Sequence, residues 1–229
     1  MTRTVVISGG TGGLGSAVTA RLAADGWRVV VPWVVESELD RVRGVDGIEL
    51  IQADLMDPDS VATVVDLATA DGSELRSLVN LVGGFAMGGR LHETPVDDFE
   101  SLLRLNVRPL YLLSQAVLPH LVAAGGGAIV GVSAKAAFAP FSGASAYVTA
   151  KAAVWTLIQS IAVEYAKDGV RANAILPSVI DTPGNRDSQP SADRSNWVSP
   201  AQIAEAIAFL VSDAGSAVTG AQVPVPGVG

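Results

Sequence analysis

Two side chains that could move a proton stand four residues apart in the segment "YVTAK", Tyr147 to Lys151. Residues at i and i+4 of a helix share a face, so the lysine ammonium would lie near the tyrosine phenol. A positive charge there favours the phenolate and lowers the phenol pKa from its usual value of about 10. The pair would then serve as a proton donor or acceptor at neutral pH, although a Tyr and a Lys at this spacing on a solvated helix are ordinarily structural.

A glycine-rich segment, "SGGTGGLG" from Ser8 to Gly15, lies between an apolar run and a helical pattern. In that context glycines let the backbone approach a pyrophosphate, and the helix N-terminus supplies free N–H groups and the positive end of its dipole. We expect Gly9, Gly13 and Gly15 to carry this contact. A glycine-rich turn without a ligand is the alternative.

The elements that must position these residues alternate between strands and helices. Continuous Val/Ile/Leu runs predict buried strands in "TVVIS", "RVVVPW", "IELIQAD", "SLVNLVG", "GAIVGVSA" and "RANAILPS". Helical spacing predicts helices over 14–24, 58–70, 96–123, 144–167 and 201–211. This succession indicates an α/β fold, a Rossmann-type doubly wound parallel sheet in a single domain spanning 1–229. The polar segment from Asp181 to Pro200 predicts a long loop or lid.

Composition excludes several classes of protein. The 229 residues carry a net charge of -8, which would repel a phosphate backbone, so we expect no nucleic-acid partner. No run approaches the roughly 20 apolar residues of a membrane span, and no export signal is visible, so we expect a cytoplasmic protein without membrane contact. Cysteine is absent, and His92 and His120 are isolated, so no metal site is predicted.

Four motifs together resemble the short-chain dehydrogenase/reductase family over essentially the whole chain. They are the glycine pattern at Ser8–Gly15, an Asn-x-x-Gly at Asn80–Gly83, the Tyr-x-x-x-Lys at Tyr147–Lys151 and a Pro-x-x-x-x-Thr-Pro at Pro177–Pro183. The closing "VTGAQVPVPG" also resembles that family's last strand. The resemblance implies an oxidoreductase that binds NAD(P)H and a small-molecule substrate.

The resemblance assigns roles to particular residues. The implied cofactor-binding residues are Ser8, Gly9, Thr11, Gly13, Leu14, Gly15, Asp54, Leu55, Asn80, Gly83, Tyr147, Lys151, Pro177, Ile180 and Thr182. The implied catalytic residues are Tyr147, Lys151, which also holds the nicotinamide ribose, and Asn106, which supports a water near that lysine. Asp54 would accept from the adenine amino group, and Asn80 would hold the fourth strand beside the cofactor. Turn capping by Asp54 and Asn80, and a backbone-bonded Asn106, are the alternatives.

One family position departs from the pattern. Ala134 stands where the family keeps a serine that donates to the substrate oxygen, and Ser133 precedes it. Adjacent strand residues point to opposite faces, so Ser133 cannot substitute. Losing one such donor costs on the order of 10²–10³ in rate. We therefore expect an activated substrate, such as a quinonoid or iminium-like ring, to be reduced with Tyr147 as the proton donor.

A narrower resemblance favours the same substrate class. The segments "SAKAA", "GGFAMGG" and Asp181–Trp197 are similar to dihydropteridine reductases, which also lack the serine. The candidate substrate contacts are Phe85, Ala134, Lys135, Asn185, Arg186 and Trp197. Two alternatives stay open: a carbonyl or alcohol oxidoreductase that recovers a donor from Ser142 or Ser145, and a nucleotide-binding regulator with vestigial catalysis.

The choice of coenzyme depends on the second strand. An acid at its end would bind the ribose 2′-OH, whereas an Arg would receive a 2′-phosphate. Trp33 occupies that position, and Glu36, a little further on, would either reach the ribose or start a helix, where acids are favourable. No Arg or Lys stands in the immediate turn, so NADH is slightly favoured over NADPH.

The helical segments 96–123 and 144–167 have broad apolar faces. Members of the family pair these two helices across a subunit interface, so the resemblance implies a homodimer or homotetramer. Burial within one subunit is the competing explanation.

Overall fold

One parallel sheet forms the centre of the computed structural model, which describes residues 3–227. Within that range the sheet has seven strands in the order β3-β2-β1-β4-β5-β6-β7. The strands are β1 (Arg3–Ser8), β2 (Arg28–Trp33), β3 (Ile48–Gln52), β4 (Glu74–Asn80), β5 (Gly127–Val132), β6 (Val170–Pro177) and β7 (Gln222–Val225). Every pair is parallel, with Val5 opposite both Val29 on β2 and Ser77 on β4.

Helices cover both faces of this sheet. They are α1 (Gly15–Ala24), α2 (Pro58–Thr69), α3 (Val96–Ala123), α4 (Ser145–Glu164), α5 (Pro183–Ser188) and α6 (Pro200–Val211). Apolar residues of α2, α3 and α4 pack on one face, and those of α1 and α6 pack on the other. This arrangement confirms the predicted doubly wound Rossmann-type fold.

The alternation of side chains along β1 explains why its sequence is continuously apolar. Val5 and Ile7 belong to the cluster under α1 and α6, whereas Val6 belongs to the cluster under α2, α3 and α4. All three side chains are fully buried. A strand covered on both faces needs an apolar residue at every position.

Three local predictions were wrong in detail. The segment Ile48–Gln52 is the edge strand of the sheet and only partly buried, because it has a neighbour on one side alone. Helix α4 ends at Glu164 rather than 167, where a separate turn of 3₁₀ helix follows. The loop predicted from Asp181 contains the short helix α5, which begins at Pro183 and is capped by Thr182.

The segment that contains α5 is closed at its base. Ile180 and Val198 form an isolated parallel bridge, in which the Asp181 N–H donates to the Val198 carbonyl at 2.8 Å. The Val198 N–H donates in turn to the Val179 carbonyl at 2.9 Å. The lid is therefore a loop whose two ends are held together beside the carboxyl end of β6.

Helix α4 is the one helix in residues 3–227 that is long and apolar enough to cross a membrane by composition. Its buried residues, including Val154 and Ile158, pack in the core cluster that also contains strand residues of β4, β5 and β6. The apolar composition is therefore that of a core helix.

The strand order reverses between β1 and β4, the point at which open α/β sheets bind ligands outside the carboxyl ends of their strands. The glycine-rich turn follows β1 and the segment from Leu81 follows β4. The candidate site therefore lies at this switch point.

Candidate active site

The turn between β1 and α1 has the backbone that a pyrophosphate needs. Gly9 adopts a φ of +69°, a conformation that favours glycine, and a Cβ at Gly15 would overlap the Gly9 carbonyl oxygen. No side-chain hydrogen bond caps the first turn of α1, and an anion at this end of the helix would lie at the positive end of the helix dipole. The segment "SGGTGGLG" therefore forms a turn of bare backbone, in which a side chain at Gly15 would not fit.

A groove of about 400 Å³ extends from this turn along the carboxyl edge of the sheet. Its lining includes the predicted cofactor residues Gly9, Thr11, Gly13, Leu14, Gly15, Asp54, Leu55 and Gly83. Residues that the sequence did not single out also line it: Gly12, Pro32, Val34, Glu38, Ala53, Met56, Leu81, Val82, Leu105 and Pro109. The mixture of apolar walls and glycine backbone fits a dinucleotide.

Two predicted polar residues join the strands behind the groove. The buried hydroxyl of Ser8 donates to Asn80 Oδ1 at 2.7 Å, linking the carboxyl ends of β1 and β4. A Cβ at Gly9 would lie 3.2 Å from the Val82 nitrogen, so the two chain segments nearly touch. Asn80 therefore joins the carboxyl end of β4 to that of β1, directly before the glycine turn.

Asp54 caps a turn, which is the alternative considered for it, and it also lines the groove. Its Oδ1 accepts from the Met56 N–H at 2.9 Å, which caps the turn after β3. The side chain is also exposed in the groove, beside the buried Leu55. The turn follows the edge strand β3, whereas Gly83 follows β4. It therefore holds the carboxylate at the opposite end of the groove from Gly83.

Tyr147 and Lys151 lie on one face of α4, as predicted, but the electrostatic expectation was wrong. The Lys151 Nζ lies 6.0 Å from the centre of the Tyr147 ring and donates to the Val132 carbonyl at 3.0 Å. Burial dominates both groups: it raises the pKa of Tyr147 to about 12 and lowers the pKa of Lys151 to about 8. The phenol is therefore a neutral proton donor at pH 7.

Asn106 and Gly83 bring α3 to the same place. The Asn106 amide donates to the carbonyls of Gly84 at 3.2 Å and Leu102 at 2.9 Å, and its Oδ1 accepts from the Gly84 N–H at 3.2 Å. A Cβ at Gly83 would lie 2.6 Å from Asn106 Oδ1 and 2.9 Å from Lys151 Nζ. Asn106 is thus bonded to backbone, the alternative considered above, and it borders the pocket that holds the lysine ammonium.

The chain has no hydroxyl at the position where the family keeps its serine. Ala134 is buried and extended, and the Ser133 hydroxyl donates to the Lys151 carbonyl oxygen at 2.8 Å. Phe85 packs edge-to-face on Tyr147 with ring centres 4.9 Å apart. The proton donor is therefore bordered by an aromatic ring.

Ser142 and Ser145, the two serines considered as replacements, line a second, separate pocket with Arg90, Leu91 and Phe141. Ser145 is the first residue of α4 and precedes Tyr147 by two positions, which places the two side chains on opposite sides of the helix. Their common pocket does not include Tyr147.

The predicted substrate residues of the lid are engaged within the lid. Arg186 forms a bidentate ion pair with Asp181, with two N···O distances of 2.6 Å. Asn185 donates from its amide to the Ile180 carbonyl at 2.8 Å, and Trp197 lies 6.0 Å from the Arg194 guanidinium. Thr182 contacts the glycine turn instead, since a Cβ at Gly13 would lie 3.0 Å from the Thr182 Cβ. Pro177 ends β6 just before this segment.

Glu38, rather than Glu36, is the acid after β2 that lines the groove. Glu36 begins an exposed 3₁₀ helix, Glu36–Arg41, and lies outside the groove. Glu38 lines the groove instead, because its Oε2 accepts from the Thr11 hydroxyl at 3.0 Å. Sequence spacing could not place it, since the path of a short 3₁₀ segment follows from its contacts rather than from a periodic pattern.

Comparison with known proteins matches the whole chain to oxidoreductases. A family model described as enoyl-(acyl carrier protein) reductase matches residues 9–227. The 2-(R)-hydroxypropyl-CoM dehydrogenase of Xanthobacter autotrophicus is 32% identical over 245 residues, covering 99% of this chain and 98% of the relative. The cis-4-hydroxycyclohexanecarboxylate dehydrogenase of Sinomonas cyclohexanicum is 35% identical over 238 residues, covering 98% of this chain and 95% of the relative.

Among solved structures, a short-chain type dehydrogenase/reductase from Mycobacterium ulcerans superimposes with a TM-score of 0.91 at 29% identity. The match covers 97% of this chain and 88% of that protein. The likeness therefore extends over the sheet, both helical layers and the switch point.

Proposed function

The chain belongs to the short-chain dehydrogenase/reductase family and is an NAD(P)-dependent oxidoreductase, and within that class we propose that it interconverts a small secondary alcohol and its ketone. The observation that carries the proposal is the pairing of the partly buried Tyr147 with the buried Lys151 on α4, where Lys151 lies beside Gly83 of the groove. Two relatives support the substrate class, because their names describe dehydrogenases of hydroxyl compounds.

Each residue of the site has a separate task in this reaction. The glycine turn and the groove would hold a nicotinamide coenzyme, which would supply or accept the hydride at the carbonyl carbon. Tyr147 Oη gives its proton to the carbonyl oxygen during reduction and takes it back during oxidation. The buried Lys151 ammonium, held by the Val132 carbonyl, places positive charge behind the reacting oxygen. Gly83 has no side chain, which lets Lys151 Nζ and Asn106 Oδ1 lie against its backbone.

The entrance to the site favours a substrate with an apolar body. Phe85, which packs on the Tyr147 ring, exposes 57% of its surface, and Met87, two residues further on, is exposed as well. Lys135, next to Ala134, is exposed as well. The names of both relatives describe secondary alcohols joined to an acidic group, a carboxylate or the sulfonate of CoM. We propose that this chain takes a substrate of the same kind.

A second candidate is the activated acceptor predicted from the sequence. Ala134 has no hydroxyl, and the Ser133 hydroxyl already donates to the Lys151 carbonyl oxygen. The substrate oxygen therefore has one hydrogen-bond donor fewer than in the family pattern, which favours a quinonoid or imine-like compound. The named relatives lend no support to a pterin substrate, so the similarity to dihydropteridine reductases stays a prediction and the alcohol/ketone pair takes first place. A vestigial regulator is disfavoured by the complete Tyr147–Lys151 pair.

The proposal is tested by measuring the oxidation of cis-4-hydroxycyclohexanecarboxylate and cyclohexanol, and the reduction of cyclohexanone and quinonoid dihydropterin, with each nicotinamide coenzyme. Tyr147→Phe is the control. Alcohol or ketone turnover that the substitution abolishes supports the first candidate. Turnover of dihydropterin alone would replace it with the second.

We also propose that the chain forms a homodimer or homotetramer through α3 and α4. Tyr111 on α3 and Val163 on α4 remain exposed in the single chain although much of both helices is buried. Exposed apolar residues on neighbouring helices are typical of a subunit contact. Light scattering of the wild type and of Val163→Asp tests this interface.

A further inference from the structure

The segment that follows β4 passes the proton donor without regular secondary structure. Residues 81–90 form neither a helix nor a strand, and those from Phe85 to Arg90 are all exposed. An exposed, irregular segment keeps one conformation only where specific contacts hold its backbone. Two such contacts are present here, one on each side of Phe85.

The first contact ties the start of the segment to α3. The Gly84 N–H donates to Asn106 Oδ1 at 3.2 Å, and the Asn106 amide donates back to the Gly84 carbonyl at 3.2 Å. Asn106 is fully buried, which shields this two-way pair from competing water. The backbone directly before Phe85 is therefore fixed.

The second contact ties the far end of the segment to the start of α4. The Gly88 N–H donates to the Gly143 carbonyl at 2.8 Å, and a Cβ at Gly143 would lie 2.5 Å from the Gly88 carbonyl oxygen. Gly143 also has a φ of +79°, a conformation that favours glycine. Because Gly143 lies two residues before α4, this Gly88–Gly143 contact joins the segment to the helix that carries Tyr147.

Between the two contacts, Phe85 packs on the proton donor. Its ring meets the Tyr147 ring edge-to-face, with ring centres 4.9 Å apart and an angle of 84° between the planes, which is a favourable geometry for an aromatic pair. The Tyr147 hydroxyl forms no hydrogen bond with another residue of the 3–227 range, so the packing of its ring fixes its direction. Phe85 also covers part of the phenol and so contributes to the burial that raises the pKa of Tyr147.

We propose that Phe85 is a positioning residue, which holds the Tyr147 ring in the orientation for proton transfer, and that the Gly88–Gly143 contact keeps Phe85 in place. The proposal rests on the proposed function, because it takes Tyr147 as the group that exchanges a proton with the substrate. Proton transfer requires the hydroxyl to lie within hydrogen-bond reach of the substrate oxygen, and a small displacement lowers the rate.

Ultraviolet titration of the substrate-free full chain tests the contact without measuring activity. The phenolate absorbance of each protein is compared with that of the same protein carrying Tyr147→Phe, so the difference reports Tyr147 alone. In Phe85→Ala we expect the acid dissociation constant of Tyr147 to rise about tenfold, because the phenol gains contact with water. A side chain that served only as a wall of the substrate site would not change this titration.

Steady-state kinetics separates positioning from substrate binding. In Phe85→Ala we expect kcat for the alcohol/ketone pair to fall about tenfold with KM changing less than about twofold, because the proton donor is misplaced and the substrate contacts remain. Phe85→Tyr keeps the aromatic ring and should restore most of the lost kcat.

Gly143→Ala tests the contact that holds Phe85 in place. Its added Cβ should push Gly88 away and lower kcat about as much as Phe85→Ala does, with a Tyr147 titration shifted in the same direction. Gly26→Ala is the matched control: Gly26 has a φ of +81° and nothing lies within 4 Å of its added Cβ. It carries the same backbone strain without displacing a neighbour, so it should lower the melting temperature and leave kcat unchanged.

The failure of this inference can be told apart from the failure of the proposed function. An unchanged Tyr147 titration in a Phe85→Ala protein with the wild-type circular dichroism spectrum would overturn the role of Phe85. A rise in KM with unchanged kcat would also overturn it, by assigning Phe85 to substrate binding. Equal kcat in Gly143→Ala and Gly26→Ala would overturn the role of the Gly88–Gly143 contact. A wild type that turns over no alcohol or ketone would overturn the proposed function, and the titration, which needs no substrate, would still decide whether Phe85 holds Tyr147.

Discussion

The hydroxyl of Ser133 donates to the backbone carbonyl oxygen of Lys151 at 2.8 Å, so this serine secures α4 to the end of β5. Both residues are buried, and the bond uses the proton of the Ser133 hydroxyl. Ala134, the next residue, carries only a methyl group. Neither residue therefore has a hydroxyl proton free to donate to a substrate oxygen.

Replacing Ala134 by Ser should restore the missing donor. For an unactivated ketone such as cyclohexanone we expect kcat/KM to rise by on the order of 10², because the added hydroxyl stabilises the oxygen as it becomes negative. Steady-state kinetics of Ala134→Ser measures this. Ser133→Ala is the matched control and should lower the melting temperature without a comparable gain in rate. No gain in Ala134→Ser would mean that another group already fills this role.

The raised pKa of Tyr147, about 12, predicts a particular pH dependence. The phenol stays protonated below that value, so ketone reduction should not decline through loss of the Tyr147 proton between pH 6 and 9. Lys151, whose pKa is lowered to about 8, loses its charge within this range and should set the only break. Rates measured from pH 6 to 10 test this assignment. A break near 10 would show that the phenol titrates as in water.

Lys151 should lower the stability of the fold at neutral pH. Its pKa falls from 10.5 in the unfolded chain to about 8 in the folded one, so the unfolded chain binds more protons between those values and stability rises with pH there. Below pH 8 the buried ammonium lowers the free energy of unfolding by its full amount, on the order of 2 kcal/mol after allowance for the hydrogen bond to Val132. Lys151→Met should therefore be more stable than the wild type at pH 7, by a margin that narrows at pH 9.5.

Urea unfolding at the two pH values measures this margin. Lys167→Met, at an exposed position beyond the end of α4, is the control and should show no such pH dependence. A Lys151→Met protein that is less stable than the wild type at pH 7 would mean that the ammonium is better compensated than its burial indicates.

Gly83 should be required for the geometry of the site rather than for folding. A Cβ there would lie within 3 Å of both Asn106 Oδ1 and Lys151 Nζ, which are the ends of flexible side chains and can move aside. In Gly83→Ala we expect kcat/KM to fall by about 10² through displacement of Lys151, with little change in melting temperature. Gly88→Ala is the matched control, because nothing lies within 4 Å of its added Cβ. Equal activity of the two variants would contradict this role of Gly83.

The sequence was sufficient for features that follow from periodicity and from glycine. Continuous apolar runs such as Val5–Ile7 required a sheet covered on both faces, and the turn at Gly9 required a positive φ. The short helix α5 had a local signal as well, since Thr182 and Pro183 form an N-cap followed by proline at the first helical position.

Features that depend on long-range contacts could not be predicted in this way. Burial, rather than the charge of its neighbour, sets the pKa of Tyr147, and burial is a property of the assembled core. The choice of Glu38 over Glu36 depends on a hydrogen bond to Thr11, which lies 27 residues earlier in the chain. The edge position of β3 depends on the strand order, which its own sequence does not encode.

Lys135 should contribute to the binding of an acidic substrate. It follows Ala134 directly, its side chain is exposed, and it forms no ion pair with any other residue of the 3–227 range. A free ammonium at the entrance can attract a carboxylate or sulfonate at the far end of a substrate whose hydroxyl lies at Tyr147. In Lys135→Ala we expect KM for cis-4-hydroxycyclohexanecarboxylate to rise about threefold, the usual strength of an exposed ion pair, with kcat nearly unchanged.

The comparison with cyclohexanol isolates this charge effect, since the neutral alcohol should show the same KM in the wild type and in Lys135→Ala. Lys167→Ala is the control for the loss of a positive charge elsewhere on the surface. Raising the salt concentration should reduce the difference between Lys135→Ala and the wild type, because exposed charges are screened. An equal rise in KM for the acidic and the neutral alcohol would show that Lys135 acts through the shape of the entrance, and the acidic group would then need another partner.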